Sequence, residues 1–152
     1  MLQKLDLKFT HESAETAWEE LQPLIKSHFN EISYHQDIGI SPDKAMYVAA
    51  CKGGFYKLFT VRDGKNLIGY AGYFLQRHSH VNAIQANSDL IYIRPDYRGH
   101  GAGKNLIQFA DSFLKTCGVS IVYLSISEKL DFSKLITPMG YTPVDRSYAR
   151  RL

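Results

Sequence analysis

Cysteine is scarce in this sequence: Cys51 and Cys117 are the only two among 152 residues. Two thiols cannot build a disulfide framework, and neither belongs to a C-x-x-C pair, so a reducing compartment and two small core residues are expected. Long apolar runs are missing as well. The N-terminus, MLQKLDLKF, alternates apolar with polar residues and offers no hydrophobic segment for a signal peptide or a membrane span. The expected location is the cytoplasm, with no membrane partner. A net charge of only +3 falls short of the basic surplus that a nucleic-acid binder needs, which argues against that partner. Eleven glycines, five prolines and 22% charged residues exclude collagen-like, low-complexity and disordered chains. Present instead are 45% hydrophobic and 12% aromatic residues, enough for one domain over 1–152 with a sizeable core.

The small net charge hides an asymmetry. Residues 1–43 carry three bases against eight acids, and residues 44–152 carry fifteen bases against seven acids. Such a chain has one side suited to a cation and another suited to an anion. Six histidines raise the question of a metal. His78 and His80 alternate on a strand end, while His28 and His35 lie far away, and no cysteine or carboxylate stands at ligand spacing; no metal site is expected.

Periodicity orders the elements. Leu2, Leu5, Leu7 and Phe9 alternate as a strand ended by Thr10-His11, and Thr10 or Ser13 can cap the helix that follows. Ala14, Ala17, Trp18, Leu21, Leu24 and Ile25 recur at helical spacing, with Pro23 expected to kink or restart the run. A mixed stretch, HFNEISYHQDIGI, reads as a short helix and a loop. Ser41-Pro42-Asp43 resembles a cap with proline at the first helical position, opening a helix to Lys52 that Gly53-Gly54 stops. FYKLFTVR, the turn Asp63-Gly64 and NLIGYAGYFLQ form a hairpin. SDLIYIRP is a compact strand, DYRGHGAGK leads into an amphipathic helix capped by Gly118, and VSIVYLSI is a strand buried on both faces. A weak helix in EKLDFSKLIT and one or two closing strands between Gly140 and Leu152 complete an α/β layered fold with a mixed sheet.

The segment Arg98-Gly99-His100-Gly101-Ala102-Gly103-Lys104 lies between a strand and a helix. Glycines there allow close approach of the backbone, and free amides at the helix start, its dipole, Arg98 and Lys104 together make a site for a phosphate or pyrophosphate. A solvated flexible turn is the plainer alternative. Spacing separates the phosphate-loop types. A nucleotide triphosphatase loop needs glycine where Arg98 stands and Ser or Thr where Asn105 stands. A dinucleotide fingerprint starting at Gly99 needs its third glycine where Lys104 stands. What remains is Arg-x-x-Gly-x-Gly, formed by Arg98, Gly101 and Gly103.

The run LIYIRPDYRGHGAGKNLIQFADSFLK resembles the acetyl-CoA-binding motif of the GNAT superfamily of N-acetyltransferases, and LIGYAGY, VSIVYLSI and PMGYTPV fit its flanks. More loosely, the layout is similar to small acetyltransferases of bacteriophages, which would place the protein in a host cytoplasm. The resemblance implies a central, mostly antiparallel mixed sheet with splayed central strands, flanked by helices. It implies that the backbone of Leu90, Ile91, Tyr92 and Ile93 pairs with the pantetheine arm of acetyl-CoA, the acetyl donor. It further implies that the amides of His100, Gly101, Ala102, Gly103 and Lys104 hold the pyrophosphate, with Gly99 in the same coenzyme-binding loop and Arg98 and Lys104 adding charge contacts.

Transfer to a primary amine requires an ammonium, with a free pKa of about 10.4 for lysine, to lose its proton. Asp89, the single acid of SDLIYIRP, is the candidate base; hydrogen bonding to nearby backbone is its alternative use. The tyrosine that such proteins use to protonate the leaving thiolate would fall where Ile136 stands, so Tyr141, Tyr148 and Tyr123 are substitutes, each otherwise a core aromatic. Tyr34, His35 and Asp37 fall in the region that overhangs the acceptor in this superfamily. The expected activity is acetyl transfer to a protein lysine or N-terminus, or to a small amine. The competing reading is a catalytically weak acyl-CoA-binding protein acting through protein contacts; a nucleic-acid regulator rests only on Arg146, Arg150 and Arg151, and a homodimer stays open.

Overall fold

Residues 5–152 are described by the computed structural model; Leu2 of the expected first strand lies outside them. Strand β1 (Leu7–Glu12) continues through Thr10 and His11, which pair with Thr60 and Phe59, so the expected stop is overridden by cross-strand pairing. Ser13 is the cap of helix α1 (Ala14–Ile32): the Thr16 amide donates to its Oγ at 3.1 Å. Pro23 lies inside this single helix, and no restart occurs there. Burial of Ala17, Trp18, Leu21 and His28 along one stripe outweighs the one backbone bond that proline removes. The same stripe draws HFNEI into α1.

Helix α2 (Lys44–Lys52) is capped by Asp43, whose carboxylate accepts from the Met46 amide at 3.0 Å. Pro42 therefore precedes the cap instead of occupying the first helical position. Strands β2 (Tyr56–Asp63) and β3 (Asn66–Arg77) form the expected hairpin around Gly64, whose φ of 56° requires glycine. Strand β4 (Ile84–Ile93) starts earlier than SDLIYIRP, because Ile84–Asn87 are paired on both edges, to β3 and to β5 (Val119–Tyr123). Helix α3 (Ala102–Thr116) ends at Cys117 and Gly118, the latter at φ 82°.

Two strand expectations are corrected. VSIVYLSI yields only the five residues of β5, most of them half-buried, because β5 is the last strand of the sheet. No strand forms between Gly140 and Leu152. After the short helix α4 (Ser133–Ile136), that tail is held by side chains: Tyr141 donates to Asp111 at 2.7 Å and Arg151 pairs with Asp37 at 2.6 Å. The cysteines are free and half-buried instead of fully buried.

The sheet order is β1-β2-β3-β4-β5, antiparallel except for the parallel β4–β5 pair. This is the expected α/β fold with a mixed, mostly antiparallel sheet. Alternation sorts the strands into two faces. Phe59, Val61, Ala71, Tyr73 and Ile93 pack with Leu106, Ala110 and Leu114 of α3. Tyr56, Leu58, Tyr70 and Tyr92 pack with Ala17 and Leu21 of α1. The two layers leave β4 in the middle of the molecule, with side chains on both sides.

His28 sits in the α1 layer, its Nδ1 3.0 Å from the Tyr70 hydroxyl and its ring stacked 4.9 Å from Tyr92. Burial, the largest influence, lowers its pKa from 6.5 to about 4. Between those values the unfolded chain binds more protons than the folded one. The stability this group contributes is complete above pH 6.5 and is lost as pH falls toward 4, by up to about 3 kcal/mol. Urea unfolding of the parent and His28→Gln at pH 7 and pH 4.5 should show a smaller acid loss in the variant; equal losses would contradict this placement.

Candidate active site

A single extra residue sets the geometry. Tyr73 pairs with Ser88 and Gly72 with Leu90, so Asp89 is left over as a β-bulge in β4. The bulge presents an exposed carboxylate where two tyrosines converge. Tyr47 of α2 and Tyr56 of β2 donate to Asp89 Oδ2 at 2.8 and 3.0 Å. Burial first, and the Asp89 charge second, push both phenols well above their ordinary range, so both hydroxyls stay protonated donors at neutral pH. Oδ1 accepts no hydrogen bond among the described residues and is free to meet a cation.

Gly72 makes this arrangement fit. A Cβ on Gly72 would fall on the Tyr56 hydroxyl, so only glycine lets that ring cross β3 to reach β4. Neither tyrosine was identifiable from sequence, since they lie 42 and 33 residues from Asp89. One signal existed: a glycine inside the strand LIGYAGY marks a close approach.

Beyond the bulge the sheet opens. The β4–β5 ladder ends at Asn87–Tyr123, followed by a bond from the Ser125 amide to Ser88 Oγ at 2.8 Å, while β4 runs on to Ile93. Leu90, Ile91, Tyr92 and Ile93 are paired to β3 on one edge only. Their other edge offers amides and carbonyls to an extended ligand.

The glycine loop follows at the end of that strand. Gly99 and Gly101 hold φ of 83° and 82°, and nothing within 4 Å crowds a Cβ position at Gly99. The first intrahelical donor is Asn105, to Gly101 at 2.9 Å, so the amides of Ala102, Gly103 and Lys104 have no intrahelical acceptor. These amides and the start of α3 fit an anionic diphosphate. Arg98 has a structural partner: its guanidinium is bidentate on Glu31 at 2.7 and 2.9 Å, and its Nε donates to the Ile93 carbonyl at 2.8 Å. It ties the loop to α1 and to the end of β4. Lys104 is exposed on the first turn of α3.

The substitute tyrosines do not gather at Asp89. Among the described residues Tyr141 donates to Asp111, Tyr148 is 89% exposed, and Tyr123 meets His78 Nε2 at 3.3 Å. Ile136 is buried. In the loop between α1 and α2 the three expected residues are engaged elsewhere or exposed, and their neighbours line a cavity. Tyr34 stacks under Lys129 Nζ at 4.2 Å, His35 is exposed on a turn, and Asp37 pairs with Arg151, whereas Gly39, Ile40, Ser41 and Pro42 line a cavity of about 270 Å³. That cavity also meets Trp18, Tyr47, Tyr56, Tyr70 and Leu90. Among the described residues, no three metal-ligating side chains stand together, and no helix is long and apolar enough to cross a membrane.

The family model described as "Acetyltransferase (GNAT) family" matches residues 15–133. The chain belongs to the GNAT acetyltransferase family. A search of curated proteins finds no match for this GNAT chain. Among solved structures, it resembles a ribosomal-protein-alanine N-acetyltransferase from Brucella melitensis biovar Abortus 2308 (19% identity, 96% of this chain and 99% of the other, TM-score 0.72). It also resembles an aminoglycoside acetyltransferase from an uncultured soil metagenomic sample (12% identity, 97% and 99%, TM-score 0.77). A third is a predicted acetyltransferase with acetyl-CoA from Clostridium acetobutylicum (10% identity, 95% and 96%, TM-score 0.73). At these identities the likeness is one of fold.

Gly72→Ala should cost about 1–3 kcal/mol by overpacking. Urea unfolding of Gly72→Ala, Tyr56→Phe and the double variant should give a double loss smaller than the sum, because removing the hydroxyl takes away the closest contact and leaves the ring carbon at 2.6 Å. Strict additivity would contradict the contact.

Proposed function

We propose that this GNAT domain, spanning 1–152, moves the acetyl group of acetyl-CoA to a primary amine by direct attack on the thioester. One observation carries the reading: the unpaired edge of Leu90–Ile93 leads from the Asp89 carboxylate straight to the glycine loop. Leu90, Ile91, Tyr92 and Ile93 would pair with the pantetheine arm, and the amides of Gly99 to Lys104 would hold the diphosphate. Lys104 is the better basic contact, because Arg98 would have to leave Glu31. The coenzyme supplies an activated acyl group, and the residues supply position and a proton acceptor.

Asp89 would hold the incoming ammonium through Oδ1 and take its proton, directly or through water. The freed nitrogen pair forms the amide bond as the carbon–sulfur bond breaks, the electrons of that bond leave on the thiolate, and the second proton lost from nitrogen passes to solvent. Tyr47 and Tyr56 keep Oδ2 in place, so the base does not rotate away from the acceptor. Among the described residues none of the three substitute tyrosines is poised as an acid: Tyr141 is held by Asp111, Tyr123 meets His78 and Tyr148 is exposed. The thiolate therefore leaves to solvent. That vacancy is also what favours the second reading, a catalytically weak acyl-CoA-binding protein. The nucleic-acid reading loses one of its three tail bases to the Arg151–Asp37 pair.

Calorimetric titration and thiol-release kinetics test the assignment. Gly101→Glu should abolish acetyl-CoA binding, because it places a carboxylate among amides meant for a diphosphate and strains a φ of 82°. Asp89→Asn should retain coenzyme affinity and lower kcat about 10²–10⁴-fold across pH 6–9. Unchanged affinity in the first variant would displace the coenzyme site, and an unchanged rate in the second would remove Asp89 as base. Tight coenzyme binding with no transfer to any amine would favour the binding protein.

A further inference from the structure

The cavity beside Asp89 has an unusual lining for a site that receives a cation. Trp18, Phe29, Tyr47, Tyr56 and Tyr70 supply aromatic surface, aliphatic side chains fill most of the remainder, and no charged side chain lines it among the described residues. Its polar groups are few: Ser41, the Tyr70 hydroxyl, which meets His28, and the hydroxyls of Tyr47 and Tyr56, which donate to the adjacent Asp89. At about 270 Å³ it lies just below the usual range for a drug-sized ligand, so it suits a small body. The four acidic side chains of α1 do not change this: Glu15 and Glu19 pair with the exposed Lys52 and Lys44, Glu20 with Arg62 and Glu31 with Arg98.

We propose that the acceptor is a small primary amine with a compact aromatic or branched apolar body, which fills this cavity while its ammonium rests on Asp89. The inference rests on the acetyltransferase reading and narrows it. One carboxylate matches one ammonium. A polyamine or an aminoglycoside would bring further charges into a lining with nothing to neutralise them, and that desolvation is strongly unfavourable. Aromatic faces beside Asp89 add attraction for a single cation and contact area for an apolar body. An arylalkyl amine meets both demands with one short linker between its charge and its ring.

The chain contains one tryptophan, Trp18, and it lines the cavity, so binding has a readout independent of turnover. Titration of the full chain with 2-phenylethylamine should change Trp18 emission saturably, and ethanolamine at equal concentrations should not. In thiol-release assays with acetyl-CoA, kcat/KM for 2-phenylethylamine or isoamylamine should exceed that for ethanolamine, spermidine and kanamycin by at least about 100-fold. Ile25→Phe, which narrows the cavity from α1, should raise KM for 2-phenylethylamine at least about 5-fold and leave acetyl-CoA affinity unchanged. Absence of a saturable emission change overturns the inference. So does equal or better use of kanamycin, spermidine or a peptide N-terminus, and in that case the acetyltransferase reading stands. Failure of the parent to bind acetyl-CoA instead strikes the reading beneath it.

Discussion

Four residue pairs join β4 to β5, from Ile84–Val119 to Asn87–Tyr123, and then the two strands part while β4 continues to Ile93. A buried strand edge without partners is costly, so such an opening persists only where water or a ligand completes it. Everything else in the candidate site is arranged around that parting. The bulge at Asp89 falls beyond the last β5 pair, past Ser88, and turns a carboxylate toward the tyrosines of the α1 layer. The glycine loop begins at Arg98, one short turn (Pro95–Tyr97) beyond the end of the strand. Arg98 closes the corner, joining the Ile93 carbonyl to Glu31 at the far end of α1.

The two faces of β4 divide the chemistry. On the α3 side, Ile93 packs against the core under the loop that would hold an anion. On the α1 side, Leu90 and the tyrosines of β2, β3 and α2 enclose a compartment suited to a cation with an apolar body. The charge asymmetry of the sequence does not follow this division, because its residues act singly. Of the eight acids in residues 1–43, Glu31 steadies the glycine loop and Asp37 anchors the C-terminal tail, while the carboxylate at the candidate site comes from Asp89 in the basic part of the chain.

Local signals made the loop and its helix legible in the sequence. Gly99, Gly101 and Gly118 mark positions that hold positive φ, and the spacing of Leu106, Phe109, Ala110 and Phe113 marks the apolar side of α3, although the fully buried residue of its last turn is Leu114. Asp89 was legible as the single acid of a strand. Long-range partners were not: periodicity reports which face a residue takes, but not which side chain from another element meets it. Tyr47, Tyr56 and Glu31 were missed for that reason. The tail went wrong through the opposite error, since extended residues near Tyr141–Leu152 carry strand-like composition yet have side-chain anchors in place of a ladder partner.

Amide hydrogen exchange with and without acetyl-CoA tests the central claim most directly, because it reads the open edge itself. Binding should slow exchange at amides within 90–93 and 99–104 and leave β1 and β2 unchanged. Protection confined to other segments, or saturating coenzyme with no protection at either stretch, would contradict the account.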